Sequence, residues 1–179
     1  MNTHRVPASG QPQTKVRFYV HFLRLAEELY TLSEPNKQTP QLADQRRRLL
    51  YGAVLFLAFA LESFINEVAI DHCQDDFEAV DRLSTPDKWR LVPKICGKVP
   101  LQKNKQPLQT ISEIFRYRNL FVHYKPRFQK DDSKEYQNLR KIDHACVKRF
   151  YQNTVQSMQL LRDGFRLNNL EWLDDKKLA

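Results

Sequence analysis

The sequence predicts an all-α protein, an antiparallel bundle of four to six helices. Three observations carry this. Only four of 179 residues are glycine, about 2% against a usual ~7%, too few for the tight turns of a sheet-rich domain. No proline lies between Pro40 and Pro86 or after Pro126, which leaves room for long helices, because an interior proline removes a backbone donor and clashes with the preceding turn. Apolar residues also recur at steps of three and four. The same composition excludes collagen-like chains, Gly/Ser linkers and disulfide scaffolds. The length suits one domain with a real core.

Residues 1–13 are polar, hold Pro7 and Pro12, and read as a disordered tail; residues 14–179 read as a single helical domain. From Thr14 to about Leu32, Val16, Tyr19, Leu23, Ala26 and Tyr30 fall on one helix face, and Pro35 ends the segment. Thr39-Pro40 is a start signal, with threonine as cap and proline in the first turn. That helix should run to about Cys73. Its stripe is Leu50, Val54, Leu57, Leu61, Ile65 and Val68, while Leu55 and Phe59 make a second apolar side. A helix apolar on two sides is either central in a bundle or shared with another subunit.

Thr85-Pro86-Asp87 repeats the start signal and opens a short helix through Trp89 that Pro93 should disturb. Residues 97–106 read as a basic loop. Pro107 opens a helix through Ile111, Ile114, Phe115 and Leu120, and Pro126 should end it near Tyr124. Asp132 with Glu135 resembles a capping box for a last long helix, from about Ser133 to Arg162, stopped by Gly164. Asn168-Asn169 can begin one more short turn containing Trp172.

Charge is concentrated. The chain carries a formal +8. Between Pro86 and Lys130 there are eleven basic and two acidic residues, a net +9 that attracts polyanions. Arg46-Arg47-Arg48 forms a second cluster at the start of a predicted helix, where it opposes the helix dipole. The apolar run Leu49–Leu61 has thirteen residues, too few to cross a bilayer, which takes about 20, so a buried core helix is expected and no membrane partner. Cys73, Cys96 and Cys146 are an odd, sparse set, and no secretory apolar segment follows Met1. Both features favour a reducing cytoplasm with free thiols, Cys96 and Cys146 being small buried residues. His72-Cys73 and His144-x-Cys146 lack the spacing of a zinc finger, and no Gly-rich phosphate loop is present. No metal site or cofactor is expected.

The most informative stretch is RYRNLFVHYKP, Arg116 to Pro126. It puts Arg118, Asn119, His123 and Tyr124 at one helix end inside the basic window. Asn119 and His123 share a face; Arg118 and His123, five apart, lie about 140° round the axis. Each residue type has a task in breaking a phosphodiester. Arginine forks onto phosphate oxygens. Histidine titrates near neutrality and can move a proton. Asparagine can orient the imidazole or bond the phosphate. RNA supplies its own nucleophile, the 2′-OH, so the reaction requires no metal.

RNLFVH, Arg118 to His123, resembles the Arg-x4-6-His motif of the HEPN superfamily, in which a polar residue, often Asn, follows the Arg. ALESFINEVA, Ala60 to Ala69, is similar to the Glu-plus-Asn helix that precedes the motif in several HEPN families, and DKWRLVPKI resembles their linking segment. The likeness covers roughly Leu49 to Lys125. It implies a dimeric helical bundle whose two motifs face each other and form a composite, metal-independent RNA-cleaving site, often within toxin–antitoxin or defence systems. By the resemblance Arg118 and His123 are catalytic and Asn119 assists. Glu62 and Asn66 support them in the same cleft, or simply hydrogen-bond inside the bundle. Tyr124 contacts a base or packs. Arg116, Lys125, Arg127, Arg46 and Arg47 are the candidate nucleic-acid contacts. RNA, a second copy of the chain and an antitoxin protein are the implied partners. The rival expectation is a non-catalytic HEPN-like scaffold that binds nucleic acid or protein.

Overall fold

The computed structural model describes residues 17–34, 40–102, 105–122 and 134–167. Among these are seven α-helices and one 3-10 turn, and no strand. The helices are α1 (Phe18–Leu32), α2 (Pro40–His72), α3 (Phe77–Asp81), α4 (Thr85–Ile95), α5 (Leu108–Val122), α6 (Lys134–Arg140) and α7 (His144–Phe165), with the 3-10 turn Gln74–Asp76 between α2 and α3. The protein is an all-α bundle. The short α3 and α6 take the count past the expected four to six.

α2 is the axis. α1 runs antiparallel to it: Arg17 pairs with Glu67, Tyr19 meets Phe64 edge-on, Phe22 touches Phe56 and Phe59, and Leu29 lies against Gly52. A Cβ on Gly52 would come within 3.0 Å of Leu29 Cδ1, so the missing side chain lets the two helices approach closely. α5 is antiparallel to both α2 and α7. Phe121 rests on Tyr51, with ring centroids 5.0 Å apart. Glu113 pairs with Arg149 and Tyr117 packs on Phe150. α7 runs alongside α2 in the same direction, from Tyr30–His144 at one end to His72–Phe165 at the other. α4 covers the C-terminal half of α2 and also runs parallel to it.

The expected stripe Leu50, Val54, Leu57, Leu61, Ile65 and Val68 is buried, as are Tyr19, Leu23, Ala26 and Tyr30 of α1. Val16 lies outside the described residues. By length and composition Leu42–His72 is apolar enough to cross a membrane. α2 packs against α1, α3, α4, α5 and α7, which accounts for the apolarity of its buried stripe as that of a core helix.

Three local expectations are corrected. Ser84, not Thr85, caps α4: it is extended, and its hydroxyl accepts from the Asp87 N–H and donates to the Asp87 carboxylate. Pro93, expected to disturb α4, lies inside it, and the helix runs on to Ile95. The predicted last helix is two helices. Asp143 adopts an extended backbone and its carboxylate accepts the Cys146 N–H at 2.7 Å; this cap starts α7 afresh, with Ile142 turned into the core. α7 then runs through Gly164 and stops at Arg166, which takes the left-handed conformation instead. Asp132, Asn168, Asn169 and Trp172 lie outside the described residues.

Candidate nucleic-acid interface

A cleft of about 540 Å³ opens between α2, the start of α4 and α5. Glu62 lines it from α2, Ser84 to Pro86 from α4, and Ser112, Phe115, Arg116, Arg118 and Asn119 from α5. Thus Glu62 and the Arg118-Asn119 pair, more than fifty residues apart, reach one solvent-open space. What brings them together is the seating of α4. Trp89 is fully buried, stacks on Phe64 and donates from its indole N–H to the Leu61 carbonyl at 3.1 Å. That contact seats α4 on α2 at the residue next to Glu62, and the Ser84–Pro86 turn lines the same cleft as Glu62.

Within the cleft, Arg118 is half-buried and donates from Nη1 to Asn119 Oδ1 at 3.1 Å. Its Nε is buried and has no hydrogen-bond partner among the described residues. A buried guanidinium N–H without an acceptor is costly, and an anionic oxygen would remove that cost. Asn119 and Arg116 are exposed, and the Arg116 guanidinium lies 5.2 Å from the Tyr117 ring centroid. Glu62 makes no ion pair with Arg118 among the described residues. The cleft therefore holds two guanidinium groups against one carboxylate, with hydroxyl groups on the opposite wall.

Asn66 does not enter this cleft. Its Oδ1 accepts from Lys88 Nζ at 2.9 Å, and Lys88 also pairs with Asp81 at 3.2 Å. This is the bundle-internal role weighed for it. His123, Tyr124, Lys125 and Arg127 lie outside the described residues; α5 ends at Val122, the residue before His123.

The basic window is not one surface. Lys88 is buried and paired, and Arg90 pairs with Asp87. Lys94 and Lys98 lie at the far end of α4, where Lys98 approaches the Phe165 ring. Only Arg116 and Arg118 of its described members reach the cleft. The Arg46–Arg48 cluster also differs from expectation. It begins six residues past Pro40, beyond the first turn where a dipole acts strongly, and Arg48 pairs with Asp44. Arg47 is exposed and sits one turn before Tyr51 on the same face. Because Tyr51 packs on Phe121, Arg47 stands at the end of the bundle where the chain leaves α5.

Sequence reasoning missed the α4 wall. The signal was Ser84 directly before Thr85-Pro86-Asp87, a better cap than Thr85 with its partner carboxylate three residues on. Of the cysteines, Cys73 is the buried one, and Cys96 and Cys146 are only half-buried, a correction to the expectation. His72-Cys73 and His144-x-Cys146 lie at opposite ends of α7, about 30 Å apart along a helix of this length, so they cannot share an ion. Among the described residues no group of three or more His, Cys, Asp or Glu is placed to hold a metal.

A second concavity, about 640 Å³, lies along the outer face of α1 and α2. Phe18, Phe22, Phe56, Phe59 and Ile70 line it, with Glu62, Asn66 and Glu67 on its rim. Phe18 is 57% and Ile70 59% exposed. Of the second apolar side anticipated for α2, Phe59 lines this groove and Leu55 does not, and Glu62 is common to the groove and to the arginine cleft.

Compared with protein-family models, curated proteins and solved structures, the chain matches none.

Proposed function

We propose that this protein is a metal-independent endoribonuclease that works as a homodimer. The observation that carries the proposal is the meeting of Arg118, Asn119, Arg116 and Glu62 in one open, basic cleft, with Arg118 Nε buried and unpartnered there. In this reading the scissile phosphate lies against Arg118, whose fork stabilises the charge that develops as the ribose 2′-OH attacks. Asn119 holds the guanidinium in position. His123, directly after α5, takes the 2′-OH proton or returns one to the leaving 5′-oxygen. Glu62 orients Arg118 or His123, and Arg47 with Arg116 tracks the backbone on either side. Lys125, Arg127 and Tyr124 are further candidate contacts to the RNA.

A second copy seated on the phenylalanine groove supports the composite site that the HEPN resemblance implies. Groove and cleft share Glu62, so an isologous contact there brings two clefts together. The setting would be a toxin–antitoxin or defence module in the cytoplasm, with an antitoxin as a further partner. The rival is a non-catalytic scaffold, favoured by the same groove if it serves a different protein.

One experiment separates them. Fluorescent RNA is incubated in EDTA with the protein and with its Arg118→Ala and His123→Ala variants. Cleavage by the wild type alone, with all three folded, supports the enzyme. Equal cleavage by all three sinks the site, and no cleavage of any RNA leaves the scaffold.

A further inference from the structure

Cys73 closes α2 and Cys96 closes α4. Each backbone N–H is held in its helix, Cys73 to Ala69 and Cys96 to Val92. Their sulfurs are 3.7 Å apart. Cys73 is 4% exposed; Cys96 is half-buried and its thiol lies 3.5 Å from the His72 carbonyl. Two helix ends that run side by side thus present one sheltered and one reachable thiol to each other. A disulfide needs about 2.05 Å between sulfurs, so a further approach of under ~2 Å joins them.

We propose that Cys73 and Cys96 form a peroxide-responsive dithiol whose oxidation cross-links α2 to α4 within one chain. The chemistry balances in two steps. The Cys96 thiolate attacks a hydroperoxide oxygen, the O–O bond breaks, and Cys96 becomes a sulfenic acid while the alcohol or water leaves. The Cys73 sulfur then attacks the Cys96 sulfur, the S–O bond breaks, and water departs with the Cys73 proton. Two thiols lose two electrons and one peroxide gains them. The order of events follows from access. Peroxide reaches Cys96, and burial together with the neighbouring Cys96 pushes the Cys73 thiol up to about 12, so Cys73 is the resolving partner and not the first nucleophile. Cys146 is excluded, because it lies at the start of α7, at the opposite end of the bundle.

The link closes a loop that contains the 3-10 turn, α3 and all of α4. It restricts the unfolded chain and covalently anchors the helix whose other end forms the wall of the cleft.

The test uses the full chain, reduced, freed of reductant and treated with hydrogen peroxide. It is then unfolded, alkylated with iodoacetamide and digested with trypsin. The expected product is a peptide pair, residues 49–82 joined to residues 95–98, lighter by two hydrogens than the sum of the two. Alkylated thiols should fall from three to one, at Cys146. The melting temperature should rise by about 5–10 °C for a loop of this size and return with dithiothreitol. Cys146→Ser should leave the cross-link unchanged, and Cys96→Ser should abolish both cross-link and rise. Three thiols still alkylated, a disulfide to Cys146 or between chains, or Cys96 gaining two oxygens without a cross-link would each overturn the proposal.

Discussion

The indole of Trp89 donates to the main-chain carbonyl of Leu61, 3.1 Å away, in the middle of α2. A carbonyl inside a helix already accepts from the residue four ahead, so this bond uses its second lone pair. It registers α4 on α2 immediately beside Glu62. Trp89→Phe keeps a ring on Phe64 but loses the bond and leaves a small void. It should cost about 2 kcal/mol, read as a lower midpoint in urea. An unchanged midpoint would mean that stacking alone seats α4.

Arg118 should matter to chemistry and not to folding. Its Nε has no acceptor among the described residues, so Arg118→Ala removes an unsatisfied buried donor. Thermal stability should hold while cleavage falls by about 10²–10³-fold, the usual cost of losing a donor to developing charge. Arg118→Lys keeps the charge without the fork and should recover only part of the rate. Full activity in either variant would remove Arg118 from the site.

Lys88 is a buried cation held by Asn66 and Asp81. Lys88→Ala strands the Asn66 carbonyl and should destabilise by about 1–3 kcal/mol. Lys88→Met fills the space of the stem and should cost less. Calorimetry on both variants, giving equal losses, would show that the ammonium bond and not packing carries the effect.

The phenylalanine groove is the proposed dimer contact. Phe18 is 57% exposed, so Phe18→Glu leaves the core intact but puts a charge on the groove. Sedimentation should show monomers and RNA cleavage should fall with them. A variant that still sediments as a dimer would place the interface elsewhere.

Alkali should unfold the protein early. Burial raises the phenols of Tyr19 and Tyr151, with Glu67 adding to the first and Glu27 to the second; burial likewise raises Tyr30 and Tyr117. A group whose folded pKa lies above its unfolded one contributes stability that is complete below the unfolded value. That contribution is lost as pH climbs from there toward the folded value. Phenols in an unfolded chain titrate near ~10, so their contribution is constant through neutrality and the melting temperature should fall steeply above about pH 10. Flat stability to pH 11.5 would contradict the burial of these rings.

Periodicity and punctuation determined the helices here. The Leu50-to-Val68 stripe and the Tyr19-to-Tyr30 face are buried as their spacing implied, because a 3.6-residue repeat of apolar side chains has one stable use in water. Sequence also marked Glu62, Arg118 and Asn119 as the residues to watch. Tertiary structure alone decided which of the candidates meet. Glu62 and Asn66 share a helix face on paper, yet packing of α4 gives Lys88 to Asn66 and leaves Glu62 to the cleft. The basic window was continuous only along the chain; α4 separates its charges by its own length, and Asn66 and Asp81 hold Lys88 inside the bundle. Local sequence fixes the conformation of a few turns, whereas the neighbours of a side chain depend on where distant helices cross, and that follows from the shape of the whole core.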